Sequence, residues 1–251
     1  MCQLLGLNFN QPVRPSLSFR GFIHRGDRNP HGWGVARYEE KACQIFKEPI
    51  SATSSALANF VRDYEPFRST IFIGHVRMAS RGRHTMQNTH PFSRPFRSRD
   101  FVLAHNGTLH GTLSRQGLKF HPVGETDSEH ILCFLLTKLS EQRIQFTDFS
   151  NIESLLRKIN RNGTMNLLFS DSERLYCYRD QAGYNGLCMV RRSAPFSGVR
   201  LVDEDWEAYL PAIKERACRG VIIATSPLTD EVWADLPAGS LAVFCNGERV
   251  F

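Results

Sequence analysis

Apolar residues gather in short runs along the whole chain, many of them bounded by Gly, Asn, Asp or Pro. Runs of this length and composition predict strands over residues 3–9, 34–38, 42–46, 70–75, 101–105, 165–170, 174–178, 187–191, 221–225 and 241–245. Apolar residues at helical spacing predict helices over about 54–64, 126–140 and 152–159. Strands come in clusters and helices are few, a mixed α and β pattern that periodicity alone does not resolve further. No internal repeat, low-complexity tract or Pro/Ser-rich linker divides the chain, so residues 1–251 read as a single domain. One helix start is sharply marked. Thr126-Asp127-Ser128-Glu129 precedes Ile131, Leu132, Leu135 and Leu139 and reads as a capping box. In such a box Thr126 accepts from the Glu129 N–H while Glu129 reaches back to the N–H of Thr126. Asp127 then stands in the first turn, where free N–H groups favour a carboxylate.

Composition narrows the class. Hydrophobic residues make up 41% and charged residues 22%, ordinary for a globular protein and unlike a disordered one. No stretch approaches the roughly 18 apolar residues of a membrane span, and the N-terminus lacks a signal-peptide pattern. The expectation is a cytoplasmic protein without membrane attachment. Its seven cysteines are scattered, with no C-x-x-C pair, which suits reduced thiols better than a zinc site or a disulfide framework. The formal net charge is +6, yet Lys and Arg are spread out. The densest group, Arg77, Arg81, Arg83, Arg94, Arg97 and Arg99, lacks the interleaved aromatics of a nucleic-acid surface, so no nucleic-acid partner is expected. His75, His84, His90, His105 and His110 form no H-x-x-x-H pair or His/Cys quartet, so no metal is expected either. Gly32-Trp33-Gly34 lacks a phosphate-loop pattern and reads as a tight turn leading into a strand that could border a site.

Four features could carry chemistry. Removal of Met1 before a small residue would leave Cys2 with a free α-amino group. An unperturbed thiol has a pKa of about 8.5 and an α-amine about 7.7 to 8.0, so the amine can take the thiol proton without a histidine. The alternatives are a buried cysteine opening a strand, or a lipid acceptor, which lacks a polybasic companion here. His105-Asn106-Gly107 follows the run at 101–104 and could present an amide side chain and an open backbone N–H to an oxyanion. Asn-Gly is equally a hairpin-turn signal. Arg77 and Arg81 follow another strand run, where a guanidinium could grip a carboxylate bidentately or simply face solvent. Asp127 could receive an ammonium group or only stabilise its helix.

In this order the motifs resemble the glutaminase domain of class II glutamine amidotransferases, which are N-terminal-nucleophile hydrolases, and within them the stand-alone YafJ-like type. The resemblance is carried by Met1-Cys2 with the strand after it, His31-Gly32-Trp33-Gly34, Gly74-His75-Val76-Arg77, Asn88-Thr89-His90-Pro91-Phe92, His105-Asn106-Gly107 and Glu125-Thr126-Asp127-Ser128-Glu129. Ala224-Thr225-Ser226-Pro227-Leu228-Thr229 resembles a late strand and turn of the same family, so the match spans nearly the whole chain. It implies an αββα sandwich of two antiparallel sheets and no cofactor. It also implies Cys2 as nucleophile, Asn106 and Gly107 as oxyanion donors, Arg77 on the substrate α-carboxylate and Asp127 on its α-ammonium. The implied reaction is hydrolysis of the glutamine side-chain amide through a γ-glutamyl thioester, with any ammonia acceptor carried by a separate synthase subunit. A γ-glutamyl amide or peptide other than glutamine, or regulatory glutamine binding without turnover, are the other readings. Met78, Ser80 and Arg81 stand where larger relatives with a sugar-phosphate acceptor often carry a Trp and a Thr-His pair, which leaves the outer substrate contacts open.

Overall fold

The computed structural model describes residues 1–79, 82–111, 113–194, 198–202, 207–209 and 218–251. In chain order the elements are β1 (Gln3–Val13), α1 (Ser16–His24), β2 (Trp33–Glu39), β3 (Ala42–Glu48), α2 (Ala56–Asp63), β4 (Ser69–Val76), β5 (Phe92–Pro95) and β6 (Asp100–Leu109). There follow α3 (Asp127–Glu141), α4 (Phe149–Asn160), β7 (Gly163–Ser170), β8 (Arg174–Tyr178), β9 (Cys188–Ser193), β10 (Gly198–Arg200) and β11 (Glu207–Tyr209). The last are β12 (Arg219–Ala224), β13 (Ala234–Asp235), β14 (Leu241–Cys245) and β15 (Glu248–Arg249). One sheet has the order β13-β9-β12-β1-β4-β2-β3, the other β15-β14-β8-β7-β6-β5, and β10 pairs with β11 in a separate ribbon. The strand pairings are antiparallel.

Side-chain parity explains the layering. On β1, Leu5, Leu7 and Phe9 pack with Phe19, Phe22 and Ile23 of α1 and with Ala58 and Val61 of α2. Leu4, on the other face, joins Ile73 of β4, Ala104 of β6, Leu168 of β7 and Ile223 of β12 between the two sheets. On the far side of the second sheet, Leu103, Leu167, Phe169, Tyr176 and Val243 pack against Ile131 and Leu135 of α3 and Leu156 and Ile159 of α4. The result is the four-layer αββα sandwich. Both faces of its central strands are buried, which is why they read as continuous apolar runs. Each fully buried Leu or Phe contributes roughly 1.5–3 kcal/mol. Among the described residues no helix is long and apolar enough to cross a membrane.

The structure corrects the sequence reading in three places. First, α1 and β5 carry no strong local signal, and both exist because of what they pack against or pair with. Second, β6 does not end at Asn106-Gly107 but runs to Leu109, with Asn106 opposite Asn166 and Gly107 opposite Met165 of β7. The pair is therefore neither a strand end nor a hairpin turn. A Cβ on Gly107 would lie 2.1 Å from the Thr164 carbonyl oxygen, so close approach of β7 requires glycine there. Third, only half of the capping box forms. Thr126 Oγ1 accepts from the Glu129 N–H at 3.2 Å, but Glu129 turns to the Gly124 N–H at 2.6 Å and to Arg94 at 2.5 Å. A carboxylate only 2% exposed needs a cationic partner, and Arg94 on β5 supplies it.

Candidate active site

The antiparallel register of β1 and β4 sets Gln3 opposite Val76, so the preceding residue, Cys2, comes beside Arg77 and Met78. Cys2 Sγ accepts from the Met78 N–H and donates to the Met78 carbonyl, each at 3.2 Å. Asn106 arrives from the other sheet. It continues the face of β6 on which Val102 and Ala104 fill the inter-sheet core. Its Nδ2 donates to the Cys2 carbonyl at 2.8 Å and makes a longer contact of 3.4 Å to Thr225 Oγ1. Thr225, just beyond β12, also accepts from the Leu4 N–H at 2.9 Å and so ties three strands to this corner. Gly107, half-buried, lies next in β6.

Arg77 is 3% exposed, and its guanidinium donates from Nη1 to the carbonyls of Arg83 and His31 at 3.3 and 3.5 Å. Burial pulls it below its usual pKa, while Cys2 and the Asp127 carboxylate act in the opposite direction, so both groups lie within its field. Asp127 begins α3, as its cap predicts. Its Oδ2 accepts from the Leu109 N–H at 2.7 Å and its Oδ1 from the Ser128 N–H at 3.0 Å, which anchors the carboxylate to the end of β6 two residues past Gly107. For Cys2, burial raises the thiol pKa, opposed by the Met78 N–H, the terminal ammonium and Arg77. The structure thus gathers Cys2, Asn106, Gly107, Arg77 and Asp127 around one end of the sandwich. Ser80 and Arg81 lie outside the described residues.

A model of the family described as glutamine amidotransferases class-II matches residues 1–251. The chain belongs to this family. Among its relatives, the YafJ protein of Escherichia coli K12 is 39% identical over 260 residues, with all of both chains covered. A crystal structure of a predicted glutamine amidotransferase from Pseudomonas aeruginosa superimposes with a TM-score of 0.72 at 29% identity, covering 100% of both chains. The glutamine phosphoribosylpyrophosphate amidotransferase of Bacillus subtilis, at 17% identity and a TM-score of 0.66, shares the fold over 99% of this chain and 48% of its own.

Of the other parts of this class II glutamine amidotransferase that frame the corner, Asn185 escapes sequence reasoning, whereas Asn88, Gly34, His75, His90 and His105 stand in the motifs that carry the family resemblance. Asn185, held at φ 54° in the loop between β8 and β9, donates from Nδ2 to the Cys2 carbonyl at 3.2 Å. Its neighbour Tyr184 has a raised pKa through burial and through the nearby Cys2 thiol. The local signal is only a turn-rich stretch, and nothing in it points 183 residues back to Cys2. Asn88, fully buried, donates to the Arg83 carbonyl at 3.2 Å and accepts from the Glu125 N–H at 2.8 Å. It thereby docks the 83–88 loop, which supports Arg77, onto the segment leading to Asp127. Gly34 lets the 88–91 segment approach β2, since a Cβ there would lie 2.2 Å from the His90 carbonyl oxygen. Behind the corner lie three buried histidines. His75 stacks on His90 at 4.0 Å, His75 Nε2 meets the His105 carbonyl at 3.0 Å, and His105 Nδ1 meets Ser128 Oγ at 2.9 Å. Burial lowers the pKa of all three, that of His75 to about 3. They are neutral at neutral pH, and among the described residues no His/Cys/Asp/Glu group able to hold a metal is found.

Proposed function

We propose that the protein, acting as one glutaminase domain in a reducing cytoplasm, hydrolyses the side-chain amide of glutamine to glutamate and ammonia, with Cys2 as nucleophile after removal of Met1. The observation that carries the reading is the meeting of Cys2 with the Asn106 amide, beside a buried guanidinium at Arg77 and a carboxylate at Asp127. Free glutamine presents a matching set: an amide carbon to attack, an α-carboxylate for the bidentate fork of Arg77, and an α-ammonium for Asp127.

Once Met1 is gone, the Cys2 amine takes the thiol proton and the thiolate attacks the amide carbon. The carbonyl electron pair moves onto oxygen, where Asn106 Nδ2 and the Gly107 N–H donate to it. The Nδ2 hydrogen bond to the Cys2 carbonyl keeps the amide beside the sulfur, and the long contact to Thr225 is the one an oxyanion displaces. Collapse of the tetrahedral adduct breaks the C–N bond, and the nitrogen leaves as ammonia with the proton returned by the ammonium of Cys2. Water, deprotonated by the same amine, then cleaves the γ-glutamyl thioester and restores the thiol. An ammonia acceptor, where one exists, is provided by a separate synthase subunit.

The test is ammonia release from glutamine and from a panel of γ-glutamyl peptides, using protein whose loss of Met1 is verified by intact mass. Turnover of glutamine by the processed protein and none by Cys2→Ala is expected. Turnover surviving in Cys2→Ala would sink the proposal, whereas turnover confined to γ-glutamyl peptides would move the substrate but keep the nucleophile.

A further inference from the structure

Far from Cys2, the sandwich breaks its own rule of apolar inner faces. On β9, Met189 shares the inter-sheet core, and parity puts Arg191 and Ser193 on that same face. On β12, Val221 and Ile223 fill that core, and parity puts Arg219 on their face, opposite Ser193. From the other sheet, Arg249 of β15 stands opposite Phe244, itself an inter-sheet side chain. The turn at Gly247 brings β15 close: its N–H donates to Asn8 Oδ1 at 2.7 Å, and a Cβ there would lie 2.5 Å from the Arg219 carbonyl oxygen. At this end of β9 and β12, residues of those two strands together with Gly247, Glu248 and Arg249 line an open cleft of about 320 Å³.

Four arginines, Arg191, Arg192, Arg219 and Arg249, line this cleft with one carboxylate, Glu248, which pairs with Arg219 at 3.0 Å. Arg249 Nε donates to the Phe251 carbonyl at 2.6 Å. Arg192, on the opposite face of β9, is committed to Glu231. Arg191 is exposed and has no hydrogen-bond or ion-pair partner among the described residues. Like charges lining one cleft repel, and a single carboxylate offsets them only in part. A cleft this size accepts a small metabolite, and guanidinium forks match phosphate oxygens in pairs.

We infer that this cleft is a binding site for a small phosphate-bearing anion, held between Arg191 and Arg249 with Arg219 alongside. It is separate from the glutamine corner. Arg219 and Ala224 stand at opposite ends of β12, roughly 17 Å apart at 3.3 Å per residue, and Ala224 is the residue that pairs with Leu5 beside the Cys2 end. The site therefore stands whether or not the chain hydrolyses glutamine.

The test is isothermal titration of the full-length protein with inorganic pyrophosphate at low ionic strength, where charges across a cleft are little screened. Saturable one-site binding is expected, weakened about tenfold or more in Arg191→Ala and in Arg249→Ala. Arg191→Lys should be intermediate, since it keeps the charge and loses the fork. Lys158→Ala, an exposed cation on α4, should bind as the wild type does. Circular dichroism checks that each variant is folded. Absence of saturable binding up to about 10 mM pyrophosphate, or equal loss in Lys158→Ala, overturns the inference, as does sulfate binding with the same affinity.

Discussion

Lowering the pH should destabilise this protein through the three histidines behind the candidate site. His75, His90 and His105 are 0%, 4% and 1% exposed. Their pKa values are lowered by burial, helped for His75 by Arg77 and for His90 by its histidine neighbours, Arg77 and Lys47. A histidine kept neutral in the fold but free to protonate near 6.5 when unfolded contributes no penalty above that pH. As pH falls below it, the unfolded chain takes up the proton first, and stability is lost down to the folded pKa, about 3 for His75. Between pH 7 and 5.5 His75, with its folded pKa of about 3, costs about 1.3 kcal/mol, and His90 and His105 shift stability in the same direction. A domain has typically about 5–15 kcal/mol to lose. Urea unfolding at fixed ionic strength from pH 7.5 to 5.5 reads the total, and His90→Phe isolates one share. Phe keeps a ring on His75 but cannot titrate, so the stability of the variant should fall less steeply over that range. Parallel curves for wild type and variant, or an NMR titration placing folded His90 near 6.5, would mean that the buried histidines do not set the acid sensitivity of the fold.

Three further outcomes follow from single contacts. Gly107→Ala drives a Cβ to 2.1 Å from the Thr164 carbonyl oxygen and to 2.7 Å from His105 Nε2, so it should cost about 3 kcal/mol or more in urea unfolding. Asn106→Ala should lower kcat of the Met-processed enzyme by a factor of about 100 to 1,000 with KM changed only a few-fold; an unchanged kcat would remove Asn106 from the oxyanion site. Arg77→Lys keeps the charge but loses the fork, and should reduce kcat/KM for glutamine by about 10- to 100-fold, mainly through KM. If KM stays at the wild-type value, Arg77 does not hold the α-carboxylate.

The fold is legible in the sequence where a strand is buried on both faces. β1, β7 and β12 read as apolar runs because helices cover one side and the other sheet covers the opposite side. α1 is harder to see. Phe19, Phe22 and Ile23 have helical spacing, but the helix is nine residues long, contains Gly21, and has Pro15 at its N-cap with no side-chain hydrogen bond. Helices this short depend on packing more than on propensity. β5 is a polar Phe-Ser-Arg-Pro segment, visible only through its pairing with β6. At Asn106-Gly107 the local signal favours a turn, and the β7 backbone overrides it by pairing through both residues.

The candidate site divides in the same way between what residue chemistry announces and what parity decides. A thiol at position 2, an Asn-Gly pair, an arginine after a strand and an acid under a helix cap are each visible in the sequence, but each has an ordinary alternative. What selects among the alternatives is the register of two strands. Shift β1 against β4 by one residue and Cys2 loses its place beside Met78; shift β6 by one residue and His105, now facing α3 and Ser128, turns toward the other sheet while Asn106 turns away from Cys2. Register is fixed by the many apolar residues that alternate between the layers, such as Val102 and Ala104 toward one core and Leu103 toward the other. The apolar alternation that builds the sandwich is therefore also what aims the polar groups at one another. Asn185 lies outside that logic, because a loop has no parity to read, and only the packed structure brings its amide to Cys2.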